Sequence, residues 1–305
     1  MIPFEHLWIP ITLFAAFAQT IRNAAQKHLT ATLGTLGATL VRFLYGIPFA
    51  VVWLAGVYYV GDYEMPTPNL PFIGWILFGA ISQIGGTALL LRVVQERNFT
   101  LGVAYSKTEA IQVAFFGYVF LADPIGAGAF AAAFLGTLGV ILMSPMDRER
   151  PLRALLSGWT SKVALLGLAS GTAFGFASVG YRGATLALDG VPFMIAAAFG
   201  LVVAQVSQTL LLGGWLLNRS AKTVVQVFKA WRTSLLVGLM GAAASAGWFT
   251  AFAIEPIAHV RTLALVELLF AYAISRRFFR ERLSRTEMTG IALLCGAIVI
   301  VTLAR

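Results

Sequence analysis

Ten apolar segments, each long enough to cross a bilayer as a helix, follow one another along this chain with short polar connections. A membrane-spanning helix needs about 20 predominantly apolar residues. Only 11% of the residues are charged, against about 25% in soluble domains, so water cannot solvate a fold of this composition. The sequence therefore predicts an all-α membrane protein. The expected spans are 7–26, 36–60, 71–94, 100–121, 125–144, 161–182, 192–217, 231–253, 258–276 and 286–304.

A polar stretch rich in helix breakers, Ser144–Pro151, lies near the middle of the chain and separates five predicted spans from five. It divides the sequence into two repeats, 1–146 and 152–305, within one integral membrane domain. Because each repeat has an odd number of spans, the second must enter the bilayer in the opposite orientation. The prediction is therefore two inverted five-helix repeats, an arrangement found in many secondary transporters.

Two glutamates, Glu109 and Glu267, occupy corresponding places in the two repeats, each inside a long apolar segment. Residues 109–123 align without gaps on residues 267–281, and each stretch both begins and ends with an acid. A charged side chain in lipid costs about 2.5–3.5 kcal/mol on insertion scales and usually faces a partner or a water-filled cavity. We expect both carboxylates at a central polar site, binding a substrate amine or a proton. The alternative is a structural ion pair or a hydrogen bond to a neighbouring span.

The helix that carries Glu109 is expected to contain three further candidate residues. With Glu109 near the middle of the span, Tyr105 and Gln112 lie on the same face at 3.6 residues per turn, which makes a polar and aromatic strip. Lys107 lies roughly on the opposite face. It either extends toward the membrane surface or attracts a substrate carboxylate.

Glu267 has only apolar neighbours on its own helix face, so its partners must come from elsewhere. The candidates are Gln83, Gln205, Gln208 and Arg261. Trp248 is a candidate wall for an organic cation or an aromatic solute, because its ring face attracts positive charge; simple packing is the alternative.

Basic residues concentrate in the connections after every odd-numbered span, and most loop acids lie on the other side. The positive-inside rule then places both termini outside the cell. This topology also accounts for the net charge of +9. Because the chain has no basic stripe interleaved with aromatic residues, we expect no nucleic-acid binding.

Both halves end with a recurrent pattern of residues. It reads Val-Glu-Leu-Leu-Phe at 266–270 and Phe-Arg-Glu-Arg-Leu at 279–283, and Glu109 is followed by Leu-Ala-Asp-Pro at 121–124. With Arg42-Phe43 at the start of span 2, the sequence resembles the drug/metabolite transporter superfamily, specifically its EamA-like ten-span permeases. It departs from the family in having Leu268 at a usual proline. Many relatives have both termini in the cytoplasm, opposite to the charge pattern here.

The resemblance implies a secondary transporter of the inner membrane that exports small organic metabolites, such as amino acids or drug-like compounds, by alternating access. Its expected partners are a small-molecule substrate, membrane lipid and protons as a candidate coupling ion, with no cofactor, in a monomer or homodimer. A lipid or lipid-linked substrate translocase on the same fold is the alternative. A membrane-embedded enzyme is less favoured, because the sequence has no metalloprotease, nucleophile-elbow or phosphate-loop motif.

Overall fold

The structure, a computed structural model, describes residues 6–95, 106–124, 126–143, 162–270 and 285–303. All regular elements in these ranges are helical. The helices are α1 Trp8–Leu44, α2 Ile47–Gly61, α3 Leu70–Gln95, α4 Glu109–Leu121, α5 Ala127–Met143, α6 Lys162–Leu186, α7 Phe193–Lys229, α8 Trp231–Ile254, α9 Ile257–Leu263 and α10 Arg285–Leu303. A 3₁₀ turn, Ala264–Val266, follows α9.

Within the described ranges, five helical stretches are long and apolar enough to cross a membrane. They are Trp8–Gly61, Leu70–Val93, Ala164–Leu186, Phe193–Lys229 and Trp231–Ile254. Large apolar side chains also face outward; Val60 and Leu70 are 90% and 81% exposed. Such a surface needs lipid around it, so the predicted class of all-helical membrane protein is confirmed. Ten spans and an inverted repeat stay predictions.

The helical backbone is interrupted at Gly34, in the connection predicted between spans 7–26 and 36–60, and again inside the second predicted span. In α1 the backbone breaks at Gly34, whose φ of 67° and ψ of 177° belong to a region that glycine alone adopts without strain. The predicted second span, 36–60, is interrupted again at Tyr45–Gly46, and α2 then begins at Ile47. Pro48 thus lies in the first turn of α2 rather than kinking a continuous helix, because its missing N–H is harmless there.

The chain forms two compact units, and each of them takes segments from both halves of the sequence. Unit 1 comprises Met1–Ile84 and Phe176–Glu255; unit 2 comprises Gly85–Gly175 and Pro256–Arg305. The predicted repeats, 1–146 and 152–305, therefore each contribute to both units.

In unit 1, α1 packs along α8, and small residues allow the two backbones to approach closely. A Cβ placed on Gly247 would lie 2.7 Å from the Cβ of Ala15, and one on Gly238 would overlap the carbonyl oxygen of Tyr45. Small residues at helix contacts are typical of membrane bundles, where packing rather than water exclusion holds helices together.

In unit 2, α5 packs against α10 by the same means. A Cβ on Gly139 would lie 2.7 Å from the carbonyl oxygen of Gly290. The core beside this contact includes Ala110 at the start of α4 and Leu265 in the 3₁₀ turn. Ala110 directly follows Glu109, and Leu265 lies two residues before Glu267. The same core therefore fixes the positions of both carboxylates.

Candidate functional site

Glu109 is the first residue of α4, and its predicted place near the middle of a span stays a prediction. Lys107 and Thr108 form a turn between a helical Ser106 and α4, and residues 96–105 lie outside the described part of the chain. The carboxylate therefore sits in the first helical turn. The helix dipole favours negative charge at that position.

Glu267 also lies at an irregularity of the helical backbone. It follows the 3₁₀ turn Ala264–Val266 and begins the helical residues 267–270. Arg261 precedes it in the last turn of α9, where a cation interacts favourably with the helix C-terminus.

The start of α4 and the end of α9 are brought together because these helices run in opposite directions. At the other end of the pair, the Asp123 carboxylate accepts a hydrogen bond from the backbone N–H of Ile257 at 3.4 Å. Between the two ends, a Cβ on Gly117 would lie 3.0 Å from the Ile257 side chain. This contact at the beginning of α9 leaves the Arg261 and Glu267 region beside Glu109.

Four charged side chains meet at this place, and we call Lys107, Glu109, Arg261 and Glu267 the charge quartet. Arg261 Nε lies 3.0 Å from Glu109 Oε1, and Lys107 forms an ion pair with Glu267. Glu109 and Glu267 are only 7% and 6% exposed. Two buried anions are thus matched by two cations, and the quartet has no net formal charge.

The quartet leaves little open space. It lines a cavity of about 10 Å³ together with Ala110, Ala264 and Leu265, which is space for about one water molecule. Among the described residues, Oε1 of Glu109 accepts no aligned hydrogen bond despite its short distance to Arg261. This cavity is too small to hold an organic molecule beside the two carboxylates.

Of the other predicted site residues, Gln112 belongs to the same unit but connects two helices. It donates to Thr108 Oγ1 at 3.0 Å and accepts from Thr172 Oγ1 of α6 at 2.6 Å. Tyr105, predicted to share the face of Glu109, lies outside the described residues.

Gln83 and Trp248 belong to unit 1, and each forms a hydrogen bond with a different residue there. With its amide oxygen turned toward Arg42, Gln83 accepts from Nη2 at 2.7 Å and from Nη1 at 2.9 Å. Trp248 Nε1 donates to Gln19 Oε1 at 3.1 Å. The sequence analysis named Arg261 and three glutamines as partners of Glu267, but it missed Lys107, which pairs with it.

A second concave feature lies in unit 1, between α1, α2 and α8, and we call it the apolar groove. Its volume is about 610 Å³, and most of its wall is aliphatic or aromatic. Phe14, Val52 and Trp53 line it and are themselves exposed. The groove has the shape and chemistry to accept hydrocarbon.

No family model matches this chain, and no curated protein matches it either. A solved structure, described only as the crystal structure of a protein, is similar to it with a TM-score of 0.70. The two are 14% identical in sequence, and the alignment covers 98% of this chain and 97% of the other. At that identity the likeness concerns the fold alone.

Proposed function

We propose that this chain is a secondary transporter of the EamA-like type within the drug/metabolite transporter superfamily. It would export small organic metabolites, such as amino acids or drug-like compounds, across the inner membrane by alternating access. The observation that carries the proposal is the buried charge quartet, placed where α4 begins and where α9 gives way to a 3₁₀ turn. Ionisable groups in membrane segments mark substrate and ion pathways, and interrupted helices at such groups are typical of secondary transporters.

The composition of the quartet favours substrates that carry an amine, a carboxylate or both. A substrate ammonium competes with Lys107 and Arg261 for the two glutamates, and a substrate carboxylate competes with the glutamates for the two cations. When a zwitterion enters, one internal ion pair opens; the substrate ammonium then pairs with the released glutamate and the substrate carboxylate pairs with the released cation. The total charge in the site stays at zero, which avoids the cost of an unpaired charge in a low-dielectric environment.

In this proposal, Glu109 is the residue that accepts the coupled proton. Adding a proton to Glu109 removes the negative charge that Arg261 faces at 3.0 Å, which weakens the closed arrangement. Protonation and substrate binding would then act on the same pair, and this is the requirement for coupling their movements.

The test is export from proteoliposomes loaded with amino acids, polyamines and common drug-like cations, followed by mass spectrometry of the released solutes. Wild type is compared with the Glu109→Gln/Glu267→Gln double variant and with Asp62→Asn, which neutralises an exposed acid. We expect one class of solute to leave with wild type and Asp62→Asn but not with the double variant. Equal release by all three proteins would separate the quartet from transport.

A lipid or lipid-linked substrate translocase is a second candidate, favoured by the apolar groove. A volume of about 610 Å³ bounded by α1, α2 and α8 suits acyl chains better than water-soluble metabolites. The discriminating measurement is the movement of fluorescent phospholipid between leaflets of the same proteoliposomes. Lipid movement without release of any soluble compound would favour this candidate, and solute release without lipid movement would favour the metabolite exporter.

A further inference from the structure

The helix α7 of unit 1 is longer than one crossing of a bilayer requires. It has 37 residues, which is about 55 Å at 1.5 Å per residue, whereas the hydrocarbon core of a bilayer is about 30 Å thick. Its backbone leaves helical values at Ser220, with φ −157° and ψ 67°. A helical segment, 221–229, follows this break and leads through Ala230 into α8. We call residues 219–232 the basic corner.

The basic corner carries four cations and no acid. All four cations are exposed: Arg219, Lys222, Lys229 and Arg232. The exposed acids Asp62 and Asp189 lie at the opposite ends of α2 and α7. This end of unit 1 therefore presents a concentrated positive charge to its surroundings.

The inner face of the basic corner is packed on α1, which holds the cations at defined positions. Val224 and Val227 are buried. A Cβ placed on Gly37 would lie 3.0 Å from Thr223 Cγ2 and 3.7 Å from Val227 Cγ2. The hydroxyl of Tyr45 donates to the carbonyl oxygen of Val227 at 3.1 Å, and this satisfies a carbonyl that the end of a helix leaves without an intrahelical partner.

The outer face of the basic corner combines cations with apolar side chains. Val225, Phe228 and Trp231 are each about half exposed. Val225 is three residues after Lys222, so the two side chains are neighbours on the helix surface. The guanidinium carbon of Arg232 lies over the Trp231 ring, 5.4 Å from its centroid. Apolar side chains bordered by cations are typical of helices that lie in the headgroup region of a bilayer.

The sequence of α7 also places the basic corner at the membrane surface. Its first part, 193–212, contains no charged residue and has the length of one crossing, about 20 residues. Charged side chains are unfavourable in the hydrocarbon core, and Trp is enriched where hydrocarbon meets headgroups. The four cations and Trp231 therefore lie at the level of the lipid phosphates.

We propose that the basic corner binds phospholipids with an anionic headgroup. The cations pair with the phosphate and its net negative charge, and Val225, Phe228 and Trp231 contact the adjoining part of the acyl chains. Charge complementarity selects this occupant, because clusters of Lys and Arg beside a membrane span attract anionic lipids in preference to zwitterionic ones. This inference concerns lipid binding, and it does not depend on the proposed transport activity.

The test titrates the purified full-length protein in detergent with dioleoyl phosphatidylglycerol or dioleoyl phosphatidylcholine. Native mass spectrometry measures the number of bound lipids and their affinity. The two lipids have the same acyl chains, so a difference in affinity reports the headgroup charge. We expect tighter binding of phosphatidylglycerol to wild type, and equal binding of the two lipids would overturn the proposal.

Charge variants separate the basic corner from general attraction to a basic protein. Lys222→Gln/Lys229→Gln should weaken phosphatidylglycerol binding roughly thirtyfold, or about 1 kcal/mol for each cation, and leave phosphatidylcholine binding unchanged. The control Arg92→Gln/Lys162→Gln removes two exposed cations elsewhere and should keep the preference of wild type. Equal weakening in both double variants, or in neither, would overturn the proposal.

Tryptophan fluorescence tests the position of the bound lipid. The protein is reconstituted in phosphatidylcholine vesicles that contain brominated phosphatidylglycerol or brominated phosphatidylcholine, because bromine quenches nearby tryptophans. The difference between wild type and Trp231→Phe isolates the quenching of Trp231. We expect this quenching to be stronger with the anionic lipid, and equal quenching by the two lipids would show that the lipid binds elsewhere and overturn the proposal.

Discussion

Replacing Arg261 by Gln leaves the Glu109 carboxylate buried beside a neutral group. At the observed Nε–Oε1 distance of 3.0 Å, Coulomb's law with an effective dielectric constant of 20 gives about 5.5 kcal/mol of attraction. Desolvation of both ions cancels much of this in the intact pair, but removing one partner leaves the cost of burying the other. The expected loss for Arg261→Gln is therefore about 3–5 kcal/mol of unfolding free energy.

The double variant Arg261→Gln/Glu109→Gln removes the stranded charge as well. It should be more stable than Arg261→Gln alone, with a coupling energy of about 2–3 kcal/mol between the two positions. Arg261 makes further contacts, which add to the cost of the single replacement. They affect the single and double variants equally, so the double-mutant cycle isolates the pair with Glu109.

Thermal unfolding in detergent measures this cycle, with Arg219→Gln as the exposed control that loses the same charge. At roughly 2 °C per kcal/mol for a chain of this size, Arg261→Gln should lower the unfolding temperature by about 6–10 °C. The double variant should recover part of that loss. If the effects of the two single replacements simply add, the ion pair contributes nothing to stability and the reasoning is refuted.

Three further predictions follow from the helix breaks, the close helix contacts and the carboxylates. Gly34→Ala should lower the free energy of unfolding by about 1–3 kcal/mol, because its φ of 67° and ψ of 177° disfavour any residue with a Cβ, and thermal unfolding measures the loss. Gly238→Ala should lower the free energy of unfolding by about 1–3 kcal/mol, because the added Cβ overpacks the turn after α1. Gly56→Ala is the control: its added Cβ has no atom within 4 Å, so the unfolding temperature should not fall. In proteoliposomes with an imposed pH gradient, Glu109→Gln or Glu267→Gln should fold but lose pH-dependent flux; flux that keeps its pH dependence excludes that residue from proton coupling.

The helical membrane class was predictable because composition and the lengths of apolar runs decide it. Each member of the charge quartet could also be recognised from the sequence as a candidate site residue, since charged residues are rare in membrane-spanning segments. Their pairing was not, because it joins positions more than 150 residues apart and depends on how α4 and α9 pack. Helix-face geometry on one span indicated only that Lys107 and Glu109 do not face each other.

The positions of the helix breaks were harder to predict, for a related reason. Residues 100–121 read as one continuous apolar run, and no glycine or proline marks the turn at Lys107–Thr108. The break at Gly34, by contrast, falls in the connection predicted between spans 7–26 and 36–60. The helix propensity of single residues is weak compared with tertiary packing. The turn next to Glu109 could therefore not be predicted from the sequence and was seen only in the structure.

The arrangement of the quartet constrains how any opening must occur. Lys107 and Glu109 are carried by one segment, Arg261 and Glu267 by the other, and each ion pair joins the two segments. Separation of the segments therefore breaks both pairs together and leaves one cation and one anion on each side. Neither segment gains net charge, so opening exposes polar groups without creating an excess charge in the membrane. In the proposed transporter, a substrate with an amine and a carboxylate can then pair with one glutamate and one cation of the separated quartet, and water entering the widened cavity can solvate the other two groups.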